Sequence, residues 1–231
     1  MEAQSAFARY RVGMSVLSAN QKNVLSLLAA EPALVDHFYL SGGTALSEFY
    51  LHHRYSEDLD FFSEQEVDPQ AVSTILKRIQ GRARIDSFTY EQSFNRNLFF
   101  LHINEDVIKT EFTYFPFTPI EQGKTMNALR IDSLLDIAVN KIFTIYQKPR
   151  ARDFVDLFCI ARKNPAWSVV SLMQHARVKF DHHLEPLQMA AQFLKSEDAT
   201  DYPRMIVALD PGEWRSFYRA EAKKLAEGIV V

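Results

Sequence analysis

Apolar residues recur at Val16, Leu17, Val24, Leu27 and Leu28 between Ser15 and Glu31. That spacing returns side chains to one side every three or four residues and predicts an opening helix, ended by Pro32. Phe38-Tyr39-Leu40 is a short apolar run suited to a strand. It leads into Ser41-Gly42-Gly43-Thr44 and a helical composition from Thr44 to Leu51, so the segment predicts strand, glycine turn, helix. Asp58 to Phe62 alternates acidic and apolar positions, a strand pattern. Asp68 as N-cap and Pro69 as first helical residue predict a helix to about Gln80 that stops at Gly81. Ala83 to Glu91, Asn97 to Asn104 and Val107 to Phe115 predict three strands with Asn and Asp at the turns. After Pro116 and Pro119 the period becomes helical, over Ile131 to Gln147, Arg152 to Arg162, Ser168 to Phe180, Pro186 to Lys195 and Pro211 to Glu227.

The fold class is therefore α+β: a mixed sheet with flanking helices over residues 1–127, then a C-terminal helical bundle over residues 128–231. Hydrophobic residues at 47% and charged residues at 24% are close to average, which excludes disordered and fibrous classes. Eighteen Phe and nine Tyr predict an aromatic core, with stacking on a base or packing under a partner as the alternative use. A net charge of −3 means that any nucleic-acid contact must come from local patches. The one cysteine, Cys159, excludes an internal disulfide and a cysteine-based zinc site. No run approaches a membrane span and no targeting pattern opens the chain, so a cytoplasmic protein is expected.

Two devices lie between Phe38 and Phe62. The Gly42-Gly43 pair after a strand lets the backbone come close to a ligand, and the N–H groups that follow face an anion such as a triphosphate. A tight bend with no ligand is the plainer use. Asp58 and Asp60 are two apart on a strand, so both carboxylates leave the same face roughly 7 Å apart. Magnesium would relieve their repulsion and bridge them to nucleotide phosphates, whereas a solvated strand face is the alternative. Leu59, Phe61 and Phe62 anchor the segment in a core. Glu111 in IKTEFTYF is the best candidate for a third carboxylate, with Glu105 and Asp106 as rivals in a turn-like stretch.

Lys141 falls on the apolar shoulder of its helix, away from Asp132, Asp136 and Asn140, and Asp153 sits on an apolar shoulder rather than out with Asp156. Such charges need a partner or a role, so the two are expected to lie close together. Lys141 would neutralise a phosphate while Asp153 holds substrate or tunes the lysine; simple mutual pairing is the alternative. Neither His52-His53 nor His182-His183 makes a chelate, because adjacent helical residues diverge. No P-loop or nucleophile elbow occurs.

SGGTAL followed by RYSEDLDFF, Lys141 in DIAVNKIF, and RARDFVDL with Asp153 together resemble the AbiEii-type nucleotidyltransferases, the toxins of a class of bacterial toxin–antitoxin and phage-defence systems. The resemblance covers residues 38 to 160 in order and spacing. It implies a polymerase-β-like core in which Asp58 and Asp60 hold magnesium, or manganese in its place, with Glu111 the candidate third carboxylate, while Ser41, Gly42, Gly43 and Thr44 embrace a nucleoside triphosphate whose phosphates Lys141 would neutralise. It further implies transfer of a nucleoside monophosphate to an acceptor hydroxyl, with RNA and notably a tRNA 3′ end as acceptor, and an antitoxin as partner. A protein hydroxyl as acceptor, and a non-catalytic nucleotide- or partner-binding module of the same fold, are the competing readings.

Overall fold

The computed structural model describes residues 15–228. The opening helix, α1 (Ala19–Leu28), starts later than the apolar pattern suggests, because Ser18 is extended at ψ 162 and caps it. Its hydroxyl accepts from the Gln21 backbone N–H at 3.1 Å, while the Gln21 side chain accepts from the Ser18 N–H at 2.9 Å, a reciprocal capping box. Pro32 does not merely end that helix; it opens a short one of its own, α2 (Pro32–Val35). Strand β1 (Tyr39–Ser41) then meets α3 (Gly42–Leu46), which continues as a π-helical turn over Ser47–Leu51 and ends at His52 in the left-handed region.

Strand β2 (Leu59–Ser63) precedes α4 (Pro69–Ala83), capped by Asp68 as expected. Gly81 does not stop this helix. Its Cα faces open space, so glycine there costs only its flexibility, while Ala83 beyond it is buried and Arg84 takes the left-handed cap at φ 57. Strands β3 (Ser87–Ser93), β4 (Arg96–Ile103) and β5 (Asp106–Tyr114) form the expected meander. A hairpin of β6 (Thr125–Met126) and β7 (Leu129–Ile131), which the apolar pattern does not announce, completes the sheet in the order β3-β4-β5-β2-β1-β7-β6. β1 runs parallel to β7, and β2 parallel to β5; the other pairs are antiparallel.

That hairpin moves a boundary. One compact unit ends at Ser133 and the other begins at Leu134, so the sheet unit extends past the division expected after residue 127. Asn127, in the left-handed region at φ 52, is the hairpin turn, and a side chain on Gly123 would collide with the Ile131 carbonyl. Ile131 pairs with Leu40 and is therefore strand, which is why the next helix starts three residues later than its apolar period suggests.

The sheet unit has a dense aromatic layer on one face. Phe61 stacks on Phe112 at 5.0 Å between centroids, and Phe38 and Phe99 meet Phe112 edge-on at 5.2 and 5.8 Å. Phe61, Phe99 and Phe112 are fully buried, so the alternation in β2 turns Asp60 to the opposite face. Buried aromatics supply the anchor that the Phe content predicts.

The second unit contains α5 (Leu134–Gln147), α6 (Ala151–Lys163), α7 (Val169–Phe180), α8 (Pro186–Leu194) and α9 (Pro211–Glu227). Its core holds Trp214, Tyr218, Phe154 and Phe193, and the Tyr218 hydroxyl donates to the Phe154 carbonyl at 2.7 Å. Asp136, which the helical period turns away from the apolar shoulder, is fully buried and paired with Lys179 at 2.6 Å. Among the described residues no helix is long and apolar enough to cross a membrane.

Removing the central ring should be costly. Phe112→Ala is expected to lower unfolding stability by about 3–5 kcal/mol, read from urea denaturation of the full chain; a change under about 1 kcal/mol would contradict the role of this layer.

Candidate active site

Asp60 sits on β2 in register with Ser41 of β1 on one side and Glu111 of β5 on the other. In-register neighbours share a face, so strand pairing sets the Asp60 and Glu111 carboxylates side by side. Lys109 and Glu111, two apart on β5, also share that face, and the Lys109 ammonium reaches Asp58 Oδ2 at 2.8 Å and Glu111 Oε2 at 3.7 Å. Asp58 thus belongs to the same cluster. The two rival carboxylates do not. Glu105 lies in the turn before β5 and Asp106 opens that strand, where it accepts from the Asn20 amide.

The glycine turn closes on this cluster. Gly42 has φ +71, and a side chain there would collide with Asp60 Oδ2. Only glycine satisfies both conditions, since it alone tolerates that φ and lets the carboxylate rest against the backbone. Gly43 makes room in the same way for the buried guanidinium of Arg54, whose Nη2 occupies the place of a Cβ. The Thr44 hydroxyl donates to the Asp58 carbonyl, and the buried Gln21 amide donates to the carbonyls of Ser56 and Glu57 at 3.1 and 2.8 Å. The approach to Asp58 is therefore pinned from two elements. Ser41 does not present its hydroxyl to open space; it donates to the buried carboxylate of Asp132 at 2.6 Å.

Charge balance within the cluster comes from two cations that the sequence reading missed. Arg96 of β4 holds Glu111 with two parallel hydrogen bonds of 2.5 Å, the fork geometry that suits a guanidinium and a carboxylate. Its proton is held more firmly than usual, first by the Glu111 hydrogen bond and then, against the cost of burial, by the charges of Glu111, Asp60 and Asp58. Burial pushes the Glu111 carboxyl up, but the Arg96 hydrogen bond and charge, the Thr113 hydroxyl and Lys109 outweigh it and hold the group below the ordinary range.

The donor set suits a hard divalent cation at Asp58 and Asp60, which are oxygen ligands on one face with Asp60 cradled by a glycine that leaves no room for a side chain. Glu111 differs. Arg96 engages both its oxygens, and among the described residues no group of three or more His, Cys, Asp or Glu side chains is gathered to hold one ion.

In the helical unit, Lys141 and Asp153 come together at 2.7 Å, as their shared place on apolar shoulders suggests. Asp156 joins them. It does not face outward but is fully buried, 2.7 Å from the same ammonium, because residues three apart on a helix share a side. Asp153 also accepts from the Arg150 N–H at 3.2 Å, so one carboxylate caps the helix and holds the lysine.

Residues 26–221 match the family described as nucleotidyl transferase AbiEii toxin of a Type IV toxin–antitoxin system. The chain belongs to this family. It is a nucleotidyltransferase by that membership, and the family implies a nucleoside triphosphate as substrate. The uncharacterized protein aq_aa25 of Aquifex aeolicus (strain VF5) is 31% identical over 72% of this chain and 77% of its own length. Two crystal structures from Helicobacter pylori share the fold. A candidate nucleotidyltransferase matches with TM-score 0.60 and 18% identity over 92% of this chain and 97% of its own. JHP933 matches with TM-score 0.57 and 17% identity over 92% of this chain and 94% of its own.

The depressed Glu111 carboxyl has a pH signature. A group whose folded pKa is lowered contributes stability that is fully present above its unfolded value, about 4.3, and is lost as pH falls through the folded value. Thermal melting of the wild type between about pH 5 and pH 3 should therefore fall more steeply than that of Glu111→Gln. Parallel curves would contradict the Arg96 pairing.

Proposed function

We propose that this AbiEii-family nucleotidyltransferase moves a nucleoside monophosphate from a nucleoside triphosphate to an acceptor hydroxyl on RNA, a tRNA 3′ end foremost, with magnesium held by Asp58 and Asp60. The observation that carries the reading is the Asp60 carboxylate seated against Gly42 and in register with Glu111, with Asp58 on the same face. In the reaction the acceptor oxygen bonds to the α-phosphorus, the bond from that phosphorus to the bridging oxygen breaks, and pyrophosphate leaves. Bound at Asp58 and Asp60, magnesium, or manganese in its place, would lower the acceptor hydroxyl's pKa and balance charge on the α-phosphate.

The chain's own groups supply position. Gly42 and Gly43 bring backbone close to the carboxylate face, and Thr44 fixes the Asp58 main chain; together with Ser41 they form the segment assigned to the triphosphate. Held by Arg96 through both oxygens, Glu111 orients that guanidinium beside Asp58 and Asp60. Lys141 is assigned to the nucleotide's phosphates, held in place by Asp153 and Asp156. The reading places the enzyme in the cytoplasm as the toxin of a phage-defence system, restrained by a cognate antitoxin.

Incubating the full chain with each labelled nucleoside triphosphate, magnesium and total RNA, then analysing RNA and protein by mass spectrometry, tests the acceptor. Added nucleotide on RNA supports the reading, addition to protein indicates nucleotidylation, and none on either indicates a binding module. Asp58→Asn and Asp60→Asn should each lower transfer by on the order of 10³ or more, because an amide is a poor magnesium ligand. Melting temperatures should stay near wild type, since each change removes one of several clustered carboxylates. Transfer that survives both substitutions would locate the chemistry elsewhere.

Asp153→Asn separates position from folding. Asp156 still pairs Lys141, and the amide oxygen still accepts from Arg150, so the fold should persist while transfer falls about 10²-fold through misplacement of the ammonium. Full activity in this variant would reduce the pair to a structural one.

A further inference from the structure

Asp58, Asp60 and Glu111 carry three formal negative charges on one sheet face, and the chain sets two of its own cations among them. The two cations are placed differently. Arg96 grips Glu111 through two bonds, a bidentate pair whose carboxylate is only 7% exposed. Lys109 makes a single close contact, 2.8 Å to Asp58 Oδ2, with a looser approach of 3.7 Å to Glu111, and both Lys109 and Asp58 are about a quarter exposed. A flexible stem with one bond near water is the exchangeable member.

Its position conflicts with the metal assigned to Asp58. A divalent ion coordinates a carboxylate oxygen at about 2.1 Å, and an ammonium on the same carboxylate would lie within a few ångströms of a like charge. At that separation, under partial burial, repulsion between the two cations outweighs what the pair itself contributes. The two therefore exclude each other at Asp58. Without the ion, the lysine offsets repulsion among the carboxylates; with the ion, it must leave.

Resting on the metal reading given above, we propose that Lys109 is a built-in counter-cation that a divalent metal must displace from Asp58, so that this lysine sets the protein's metal affinity. Lys109 is a positioning residue here: it acts through Asp58, and its effect is read in metal binding rather than in turnover. The cost of displacing it weakens metal binding by the free protein.

The test is Mn²⁺ binding to the full chain at fixed ionic strength, with free ion counted by electron paramagnetic resonance. Lys109→Met and Lys109→Gln, two neutral side chains of different polarity, should each tighten binding by about fivefold or more, the competition that one exposed pair can supply. Lys109→Arg, which keeps the charge, should stay within about twofold of wild type. Thermal melting on the same samples confirms which variants are folded, and Asp58→Asn provides the reference. Binding lost in Asp58→Asn but unchanged or weakened in the neutral Lys109 variants overturns this inference alone. Binding unchanged in Asp58→Asn overturns the metal reading, and the inference with it.

Discussion

The close approach of Gly42 to Asp60 is the contact on which the rest of the site depends. Strand β2 must present a carboxylate toward the end of β1, and β1 must turn sharply enough to let it in, at φ +71 with no side chain in the way. Neither requirement can be met without the layer behind the sheet. Phe61 and Phe112, stacked and fully buried, fix the facing of β2 and β5, so their alternate neighbours Asp60 and Glu111 have one direction to point. A shift of one residue in either strand would carry the carboxylates into the aromatic layer. Hydrophobic burial thus enforces the geometry of a cluster whose own charges oppose it.

That opposition is managed in the same way in both units, with different commitment. In the sheet unit a lysine stands between Asp58 and Glu111; in the helical unit Lys141 stands between Asp153 and Asp156. The first lysine is partly in water and makes one close bond. The second is only 11% exposed and makes two of 2.7 Å, one to a carboxylate with no exposure at all. Removing both partners from the buried group would leave uncompensated charge away from solvent, which is strongly destabilising, whereas the exposed group can rearrange at little cost. The fold has therefore made Lys141 a fixture and left Lys109 able to move.

Much of the sheet unit was legible in the sequence because its signals are local. The glycine pair after an apolar run, the two aspartates with apolar neighbours, and the Asp68-Pro69 start each depend on residues a few positions apart. Glu111 was the candidate third carboxylate from a neighbouring strand, and strand pairing sets it beside Asp60. What the sequence did not disclose depends on distant partners. Arg96 lies just before one predicted strand run and Lys109 within another, and only register across three strands brings them among the carboxylates. Gln21 closes the capping box of its own helix, but its amide also reaches 35 residues onward to the segment before Asp58. Asp156 and Asp136 read as solvent-facing because a helical period cannot show which face a neighbour will cover, and both are buried against lysines. The β6–β7 hairpin is too short to carry a period of its own; parallel pairing with β1 is what makes it strand.

The central claim is that the carboxylates set by Gly42 and the aromatic layer hold the ion that activates nucleotide transfer. Anomalous diffraction from crystals grown with Mn²⁺ and a non-hydrolysable nucleoside triphosphate tests it most directly. The account predicts a manganese peak at coordination distance, about 2.1–2.2 Å, from a carboxylate oxygen of both Asp58 and Asp60, shared with the nucleotide's phosphates, with the Lys109 ammonium moved away from Asp58. Nucleotide bound with no such peak at these two residues would contradict it.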